Sequence, residues 1–469
     1  MYPLELGADE MRRMGREAVE YLTAFIEGLE DAPANNVERG LEVAERVRGA
    51  PPEEGVPFET AMREFADGAE SAYEPAGPGY LAYIPGGGLY AAALASFLAA
   101  GVNRFVNLAG TAPAFVQVEE NVIRWLCETF DLPPGSRGIL TSGGSMANFS
   151  AIVTARRAKL PEDFLRGTLY VSGQVHASVT KAASLAGFPA ANVRRVPVTQ
   201  DLRLDARACA EMVREDRASG MEPFFVVASA GTTNTGAVDP VDDLATLCAD
   251  EGMWLHADAA YGGFFQLTER GRKRFRGIER ADSITLDPHK GMFLPYGTGS
   301  LLVRNGSLLR EAHYSGAAYL QDVVAGGEVL PNFSEYSPEL SRDFRGLRVW
   351  LPLQLHGVAA FRDALDEKLD LARVAYDGLR GEERLDLPWD PELSIVAFRL
   401  APRPGAGAEQ EDDRNRALLE RINASKRVFL SSTMVEGRFT LRIAILSHRT
   451  HRDRIDEAIE IIRVAAAVG

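Results

Sequence analysis

Cysteine is scarce in this chain, with Cys127, Cys209 and Cys248 alone among 469 residues and no C-x-x-C pair. A disulfide framework or a thiolate metal site is therefore not expected, and a reducing, cytoplasmic compartment fits. Long apolar runs are also lacking. The longest, residues 89–100, is shorter than the roughly 20 residues that a membrane-spanning helix needs. The first residues show no basic segment followed by an apolar run, so no signal peptide is predicted.

The chain also lacks an excess of positive charge, since its formal net charge is −15. This balance argues against nucleic acid as the main partner. Two pairs of residues have a spacing that could bind a metal, namely His256 with Asp258 and His448 with His451. Neither pair has a third ligand at a suitable spacing, so we predict no metal site. Internal repeats and low-complexity tracts are absent from the sequence as well.

Three regions follow from the patterns that are present. Residues 1–75 form an N-terminal helical segment, because apolar residues between positions 8 and 30 recur at three- and four-residue spacing. Its apolar faces suit packing on a partner subunit or, equally, on the chain itself. Residues 76–340 alternate apolar strands with helices, which is typical of a mostly parallel sheet covered on both faces. This region ends in a predicted mobile loop at about 312–340. Residues 341–469 form a smaller α+β domain.

The predicted strands of the central region are short apolar runs with helices between them. In open α/β sheets, ligands bind at the carboxyl ends of the strands. Residues that follow those runs are therefore the candidates for chemistry. The runs are 138–141, 168–171, 224–228, 254–257, 283–286 and 299–303.

Residues 141–148 carry a Gly pair between a strand and a helix. Backbone N–H groups of Gly143 and Gly144, the hydroxyl of Ser145 and the positive end of the helix could form a phosphate cup. A plain tight turn explains the same pattern, because the Lys of a P-loop and the G-x-G-x-x-G spacing are both missing.

Two further strand ends carry ionisable groups. Asp258 closes an apolar strand, where a carboxylate needs a partner such as a cationic ring nitrogen; a helix cap is the structural alternative. Lys290 follows another strand in an apolar setting, where a lysine amine can become a nucleophile. A lone lysine is usually a solvated surface charge. The order of phosphate cup, Asp and Lys on successive strand ends favours the functional interpretation.

Residues 282–290, Asp-Ser-Ile-Thr-Leu-Asp-Pro-His-Lys, closely resemble the lysine motif of the group II pyridoxal-phosphate (PLP) decarboxylases, such as the aromatic L-amino-acid, glutamate and histidine decarboxylases. Residues 79–85, 172–178, 231–236, 256–262 and 441–445 resemble other segments of that family in the same order. The resemblance covers nearly the whole chain. It implies PLP as the cofactor and fold type I, the aspartate-aminotransferase-like α/β fold. It also implies a homodimer with shared active sites.

The resemblance also implies residue roles. Lys290 would bond covalently to PLP, Asp258 would pair with the pyridine nitrogen, and His176 would stack on the ring. Thr233 and Ala260 would line the cofactor, and Tyr83, Pro85 and Phe105 the substrate pocket. Gly143, Gly144 and Ser145 would hold the phosphate, with Asp287 and His289 beside it. The activity implied is decarboxylation of an L-amino acid to an amine and carbon dioxide, with an aromatic or other apolar side chain favoured.

One position departs from the family pattern. Ungapped alignment places Phe333 where the aromatic decarboxylases carry a mobile-loop tyrosine that donates a proton to the α-carbon. Phe cannot donate, so Tyr336, Tyr319 or His176 would have to substitute. In plant relatives a Phe there accompanies oxidative decarboxylation–deamination to an aldehyde, which stays an alternative, as does a slip in the loop alignment.

Two other classes of function were weighed. A PLP aminotransferase would share Lys290 and Asp258 but would need an arginine for the substrate carboxylate, for which Arg442 is the candidate. A non-enzymatic PLP-binding regulator is disfavoured, because the chain has no basic DNA-reading helix.

Overall fold

A computed structural model describes residues 4–315 and 330–468. Of the predicted loop at 312–340, residues 316–329 and with them Tyr319 lie outside the described residues. The strands are β1 Tyr80–Leu81, β2 Arg137–Thr141, β3 Gly167–Ser172, β4 Val193–Val196, β5 Glu222–Ser229, β6 Trp254–Asp258, β7 Ser283–Leu286, β8 Gly299–Val303, β9 Leu385–Asp386, β10 Ile395–Leu400, β11 Phe429–Val435 and β12 Arg438–Ala444.

The helices surround these strands and fill the connections between them. Their bounds are α1 Ala8–Gly28, α2 Gly40–Arg46, α3 Phe58–Glu70, α4 Tyr90–Val102, α5 Pro113–Thr129, α6 Gly144–Lys159, α7 Ala177–Leu185, α8 Ala206–Ala218, α9 Val241–Glu251, α10 Glu269–Arg274, α11 Pro288–Gly291, α12 Gly306–His313, α13 Gly346–Arg380, α14 Ala408–Asn423 and α15 Arg452–Ala467. None of the helices in the described ranges is both long and apolar enough to cross a membrane.

The larger sheet has seven strands in the order β2-β8-β7-β6-β5-β3-β4. Strands β7, β6, β5, β3 and β4 are parallel, and β8 runs antiparallel to β7 and to β2. The residues of β3, β6 and β7 are buried throughout, because helices cover both faces of the sheet. The prediction of a mostly parallel α/β sheet of fold type I is confirmed. The carboxyl ends of the parallel strands lie at one edge.

The smaller sheet has the order β1-β11-β12-β10-β9 and its own apolar core. Its outer strand β1 comes from residues 80–81, far from the rest of the sheet in sequence, and pairs in parallel with Phe429 and Leu430. The segment after β1 is thereby tied to the C-terminal domain at one end and to the larger sheet at the other. Helix α13 is interrupted at Gly357, whose φ of 71° and ψ of 161° are not helical.

The N-terminal helices lie outside both cores. Helix α1 is amphipathic, yet it buries none of its residues in the described chain. Its contact with α3 rests on aromatic rings, since Tyr21 meets Phe65 edge to face with 5.7 Å between ring centroids. Apolar side chains on its other face stay in contact with solvent, including Met11, which is 54% exposed, and Leu22, which is 36% exposed.

Candidate active site

Lys290 lies in a short acidic and basic cluster that follows β7. Its Nζ is 2.9 Å from Oδ2 of Asp287, which is only 3% exposed. The same oxygen is 3.7 Å from Nε2 of His289. The backbone forms this cluster locally, because Pro288 begins the one-turn helix α11 and brings residues 287 and 290 onto one side. A primary amine is thus held beside a buried carboxylate at the carboxyl edge of the sheet.

His289 is held as a neutral ring in this cluster. Its Nδ1 donates to the carbonyl oxygen of Thr298 at 2.7 Å, and burial lowers the pKa of the imidazole. The ring also contacts the exposed side chain of Tyr296 edge to face, with 5.7 Å between ring centroids. A neutral ring in this position adds no charge of its own to the Lys290–Asp287 pair.

The glycine turn between β2 and α6 lies against this cluster. A Cβ on Gly144 would come within 3.0 Å of Oδ2 of Asp287 and 3.2 Å of the Cβ of Ala260, and one on Gly143 within 3.4 Å of His289. Gly143 has a φ of 157°, so its backbone is close to fully extended. Helix α6 begins at Gly144 with no acidic residue in its first turn, and the side chain of Ser145 is exposed. The turn therefore offers N–H groups and a hydroxyl to an anion.

Asp258 ends β6 and is 7% exposed. Its Oδ1 accepts from the backbone N–H of Ala260 at 3.2 Å, and its Oδ2 accepts from Nδ2 of Asn148 on α6 at 3.1 Å. Each carboxylate oxygen retains a further lone pair. The carboxylate is therefore held in position by the chain and can accept one more hydrogen bond, as from a protonated ring nitrogen.

His176 precedes α7 and caps it. Its Nδ1 accepts from the backbone N–H of Ser178 at 3.2 Å and lies 2.7 Å from the Ser178 hydroxyl. A ring nitrogen that accepts from a backbone N–H carries no proton itself, so the neutral ring carries its proton on Nε2. The cap thereby determines which edge of the imidazole is a donor.

Arg442, on β12 of the smaller sheet, is bonded to the loop that follows β5 of the larger sheet. Its Nε donates to the carbonyl of Asn234 at 2.9 Å, and its Nη1 to the hydroxyl of Ser431 at 3.0 Å. Its Nη2 donates to the carbonyls of Tyr83, at 3.0 Å, and Thr233. Burial lowers the pKa of the guanidinium to about 10. Arg442 thus holds the backbone of the segments that carry Tyr83 and Thr233, and most of its donors are already used.

The segment after β1 reaches the Lys290 cluster directly. A Cβ on Gly86 would come within 2.9 Å of the carbonyl oxygen of His289. The neighbouring Pro85 is buried, whereas the ring of Tyr83 is 54% exposed and its backbone has a φ of 51°. Pro85 therefore packs beside the cluster, and the Tyr83 side chain is free to meet a ligand.

The structure does not bring Tyr336 to Lys290 within one chain. Its charged neighbours include Arg137, the first residue of β2, at the end of that strand opposite to the Gly143 turn. The carbonyl of Phe105, whose ring is 39% exposed, accepts from the hydroxyl of Thr111. Among the described residues, no hydrogen bond, ion pair or ring contact joins either residue to Lys290 or Asp258.

Phe333 is a core residue, with 1% of its surface exposed. The guanidinium of Arg342 lies over its ring, 5.0 Å from the centroid, and pairs with the buried carboxylate of Glu119 at 2.5 Å. Among the described residues, no ring contact or cation–π pair joins Phe333 to Lys290 or His176. The loop alignment that places Phe333 at a catalytic position finds no support in its surroundings.

The sequence alone misses two residues of this region and the partners of a third. Asn148 lies four residues into α6 and so faces the same side as Gly144, but its amide carries no motif of its own. Tyr296 follows the lysine motif without any pattern. Arg442 is a sequence candidate, and only the fold shows that its partners are backbone carbonyls. In residues 4–315 and 330–468, no group of three or more His, Cys, Asp or Glu side chains could hold a metal ion.

This chain is similar to known proteins along nearly its whole length. The sequence model of a protein family, the "pyridoxal-dependent decarboxylase conserved domain", matches residues 74–401 of this chain. An aromatic-L-amino-acid decarboxylase of Bacillus atrophaeus is 35% identical over 99% of this chain and 97% of its own. A phenylacetaldehyde synthase of Petunia hybrida is 27% identical over 98% and 94%. The crystal structure of Oryza sativa TDC with PLP and tryptamine superimposes with a TM-score of 0.94, at 28% identity, over 100% of this chain and 99% of the other.

Proposed function

This chain belongs to the pyridoxal-dependent decarboxylase family and is a PLP-dependent amino-acid decarboxylase, and we propose that it converts an aromatic L-amino acid to the corresponding amine and carbon dioxide. The observation that carries the proposal is the meeting of Lys290 and Asp258 with the Gly143–Gly144 turn at one edge of the sheet. The family relatives named above include an aromatic-L-amino-acid decarboxylase. The exposed rings of Tyr83 and Tyr296 beside the Lys290 cluster suit an aromatic side chain.

The residues present fit PLP on chemical grounds. Oδ1 of Asp287 is buried and has no hydrogen-bond partner in the described chain, beside a turn in which a Gly144 side chain would clash. Such a close, donor-rich turn suits a phosphate group, and the orphaned oxygen suits a donor supplied by the ligand or by a bound water. Asp258 supplies the carboxylate that a protonated pyridine nitrogen requires. Lys290 supplies the amine.

Each of these side chains has a task in the proposed reaction. Lys290 would bind the cofactor covalently, and Asp287 holds the Lys290 amine in place beside the glycine turn. Asp258 would accept a hydrogen bond from the protonated ring nitrogen, and His176 would present its Nε2–H to the cofactor ring. When PLP is bound, its protonated ring supplies an electron sink for the pair left as carbon dioxide departs.

An aminotransferase is disfavoured by Arg442. An arginine that binds a substrate carboxylate needs a free pair of parallel N–H donors. Here Nε and both Nη atoms of Arg442 already donate to Asn234, Ser431, Tyr83 and Thr233. Its role is to hold the backbone around the substrate pocket.

The aldehyde-forming alternative rests on Phe333, and the surroundings of that residue weaken it. Because the Phe333 ring is buried under Arg342, it has no role at the reacting carbon of its own chain. Of the proton donors considered, His176 lies at the strand-end edge. Tyr336 lies near the opposite edge, and Tyr319 is outside the described residues. Amine is therefore the proposed product.

A homodimer with shared active sites completes the proposal. The single chain leaves large apolar side chains exposed on α1 and on α4, where Phe97 is 69% and Val102 46% exposed. A second copy packed on these faces would remove them from water. Phe105, which follows α4 and lies outside the Lys290 cluster, is then available to the site of the second copy.

The test incubates the PLP-loaded protein with a panel of L-amino acids and quantifies carbon dioxide, amine, aldehyde, ammonia and keto acid. We expect carbon dioxide and an equimolar amine from aromatic substrates. A keto acid without carbon dioxide would overturn the proposal, and aldehyde with ammonia would establish the oxidative route. Phe333→Tyr is the matched variant. We expect it to lower stability by about 1–3 kcal/mol, because it buries a hydroxyl, and to leave the product unchanged.

A further inference from the structure

Asn148 occupies the centre of a buried hydrogen-bond network beneath the candidate site. Its side chain is 1% exposed. Its Nδ2 donates to Oδ2 of Asp258 at 3.1 Å and to the hydroxyl of Ser178 at 3.0 Å, and its Oδ1 meets Nε2 of His256 at 3.0 Å. One amide thus contacts Asp258, the cap residue beside His176, and the buried ring of His256, and both of its N–H groups are used.

The direction of each hydrogen bond follows from Asp258. An ionised carboxylate can only accept, so the amide atom that faces it must be the nitrogen, and the oxygen of Asn148 must face His256. His256 therefore carries its proton on Nε2. Burial lowers the pKa of this imidazole to about 4, which leaves a single proton on the ring at neutral pH.

The same reasoning extends to the far side of His256. Because its proton is on Nε2, its Nδ1 accepts from the hydroxyl of Ser283 at 2.8 Å. That hydroxyl in turn accepts from the indole N–H of Trp254, also at 2.8 Å. Trp254 can only donate, so the network is closed at this end, and every proton along it points towards Asp258.

The network also reaches the ring-facing histidine. The Ser178 hydroxyl accepts one N–H of Asn148 and lies 2.7 Å from Nδ1 of His176. Because Nδ1 accepts from the backbone N–H of Ser178 and so carries no proton, the Ser178 hydroxyl is the donor in this contact. The helix cap thus sets the Nε2–H tautomer of His176, and Asn148 holds the hydroxyl that completes the cap.

We propose that Asn148 is a positioning residue of the proposed decarboxylase, which holds Asp258 as an acceptor for the cofactor ring nitrogen and keeps the proton of His176 on Nε2. The proposal deepens the proposed function and rests on it. Asn148 does not act on the substrate itself. Its buried amide connects Asp258, at the ring nitrogen of the cofactor, to His176, on the face of that ring, and so orients both side chains.

The other ionisable groups around this network come from separate elements. Asp258 and His256 lie on β6, and His176 precedes α7. Lys290, Asp287 and His289 follow β7, and Asp287 reaches the glycine turn from which α6 starts. Asn148→Asp changes the hydrogen bonding at position 148 with little change in the shape of the side chain, because it replaces both N–H donors by a second carboxylate beside Asp258.

The test uses ¹⁵N-histidine NMR, together with titration of the apoprotein with PLP. In the wild type we expect His176 and His256 to show the Nε2–H tautomer in the PLP-loaded protein. In Asn148→Asp we expect His176 to populate both tautomers and the PLP dissociation constant to rise by about 10- to 100-fold, the usual range for loss of an orienting partner. The variant should lose kcat by a similar factor.

Asn192→Asp is the control, because Asn192 is another buried amide whose Nδ2 donates twice, to the carbonyls of Leu165 and Gly167. It tests the same chemical change where no functional group is attached. A wild-type His176 with its proton on Nδ1 would overturn the proposal, and so would an Asn148→Asp variant that behaves like Asn192→Asp. Both readouts are independent of the substrate panel, so failure of the network and failure of the proposed function are distinguishable.

Discussion

The edge of the larger sheet and the N-terminal helices differ in which side chains they bury. The sheet edge buries polar side chains, and the helices leave apolar side chains exposed. At the sheet edge, polar side chains such as Asn148 and Asp258 are buried and find their partners within the chain. In α1, no residue is buried, and apolar side chains such as Met11 face outwards. The first region is arranged by the single chain, whereas the second leaves apolar side chains that only another surface would cover.

The two regions therefore depend on different things: the sheet edge on the fold of one subunit, and the N-terminal helices on contact with a second surface. The strand-end groups are set by covalent neighbours and by the sheet, so their geometry belongs to the fold of one subunit. The N-terminal helices contribute little to that core, and their packing depends on protein concentration if a second copy covers them. Variants in the two regions should therefore fail in different ways.

The largest expected effect comes from Asp258→Asn. Because a neutral amide cannot keep the pyridine nitrogen protonated, kcat should fall by about 100- to 1,000-fold, as measured by carbon dioxide release. Asp239→Asn is the matched control. Asp239 is a buried carboxylate that accepts from the backbone N–H of Leu204 and of Ser229 at 2.7 Å each. It should lower the melting temperature and spare kcat; equal losses of kcat in the two variants would contradict the contrast.

A charge on the outer face of α1 should have a smaller, concentration-dependent effect. Burying a new carboxylate in an interface costs several kcal/mol, so Leu22→Asp should weaken dimerisation by at least about 100-fold. Light scattering after size-exclusion chromatography measures the change. Thr23→Asp adds the same charge at the next position, about 100° around the helix, and should leave the dimer intact. A monomeric wild type, or dimers in both variants, would show that the apolar face of α1 does not form the dimer interface.

The smallest expected effect is on the pH dependence of stability. Because burial lowers the pKa of His256 to about 4, the unfolded chain binds this proton near pH 6.5 and the folded chain does not. Between these values the free energy of unfolding of the wild type should therefore fall, relative to His256→Gln, by about 1.4 kcal/mol per pH unit as the pH is lowered. Urea titrations at several pH values measure the slope.

Phe398→Leu is the control for this slope, because Phe398 is buried in the separate core of the smaller sheet and does not titrate. Its cost should be the same at every pH. If the difference in the free energy of unfolding between wild type and His256→Gln does not change with pH, the pKa of His256 is the same in the folded and the unfolded chain, which would contradict this prediction.

Much of the larger sheet was predictable from short-range pattern. The strands at 283–286 and 299–303 have the predicted bounds, because each is a short run of apolar and small residues that is followed at once by a charged residue. Lys290 and Asp258 were found for the same reason, since a polar side chain directly after a buried strand lies at the ligand-binding edge. Strand β1 was missed, because two residues that pair with Phe429 and Leu430 leave no periodic signal.

The sequence by itself determined the mostly parallel sheet and the residues at its strand ends, because covalent order and hydropathy specify local structure. The resemblance of residues 282–290 and of other segments to a known family supplied the family and the cofactor. The tertiary structure alone decided the orientation of the Asn148 amide, the carbonyl partners of Arg442 and the burial of Phe333 under Arg342. These depend on atoms that are distant in the chain. A hydrogen bond has a direction and a length that only the folded backbone sets, and no residue pattern encodes them.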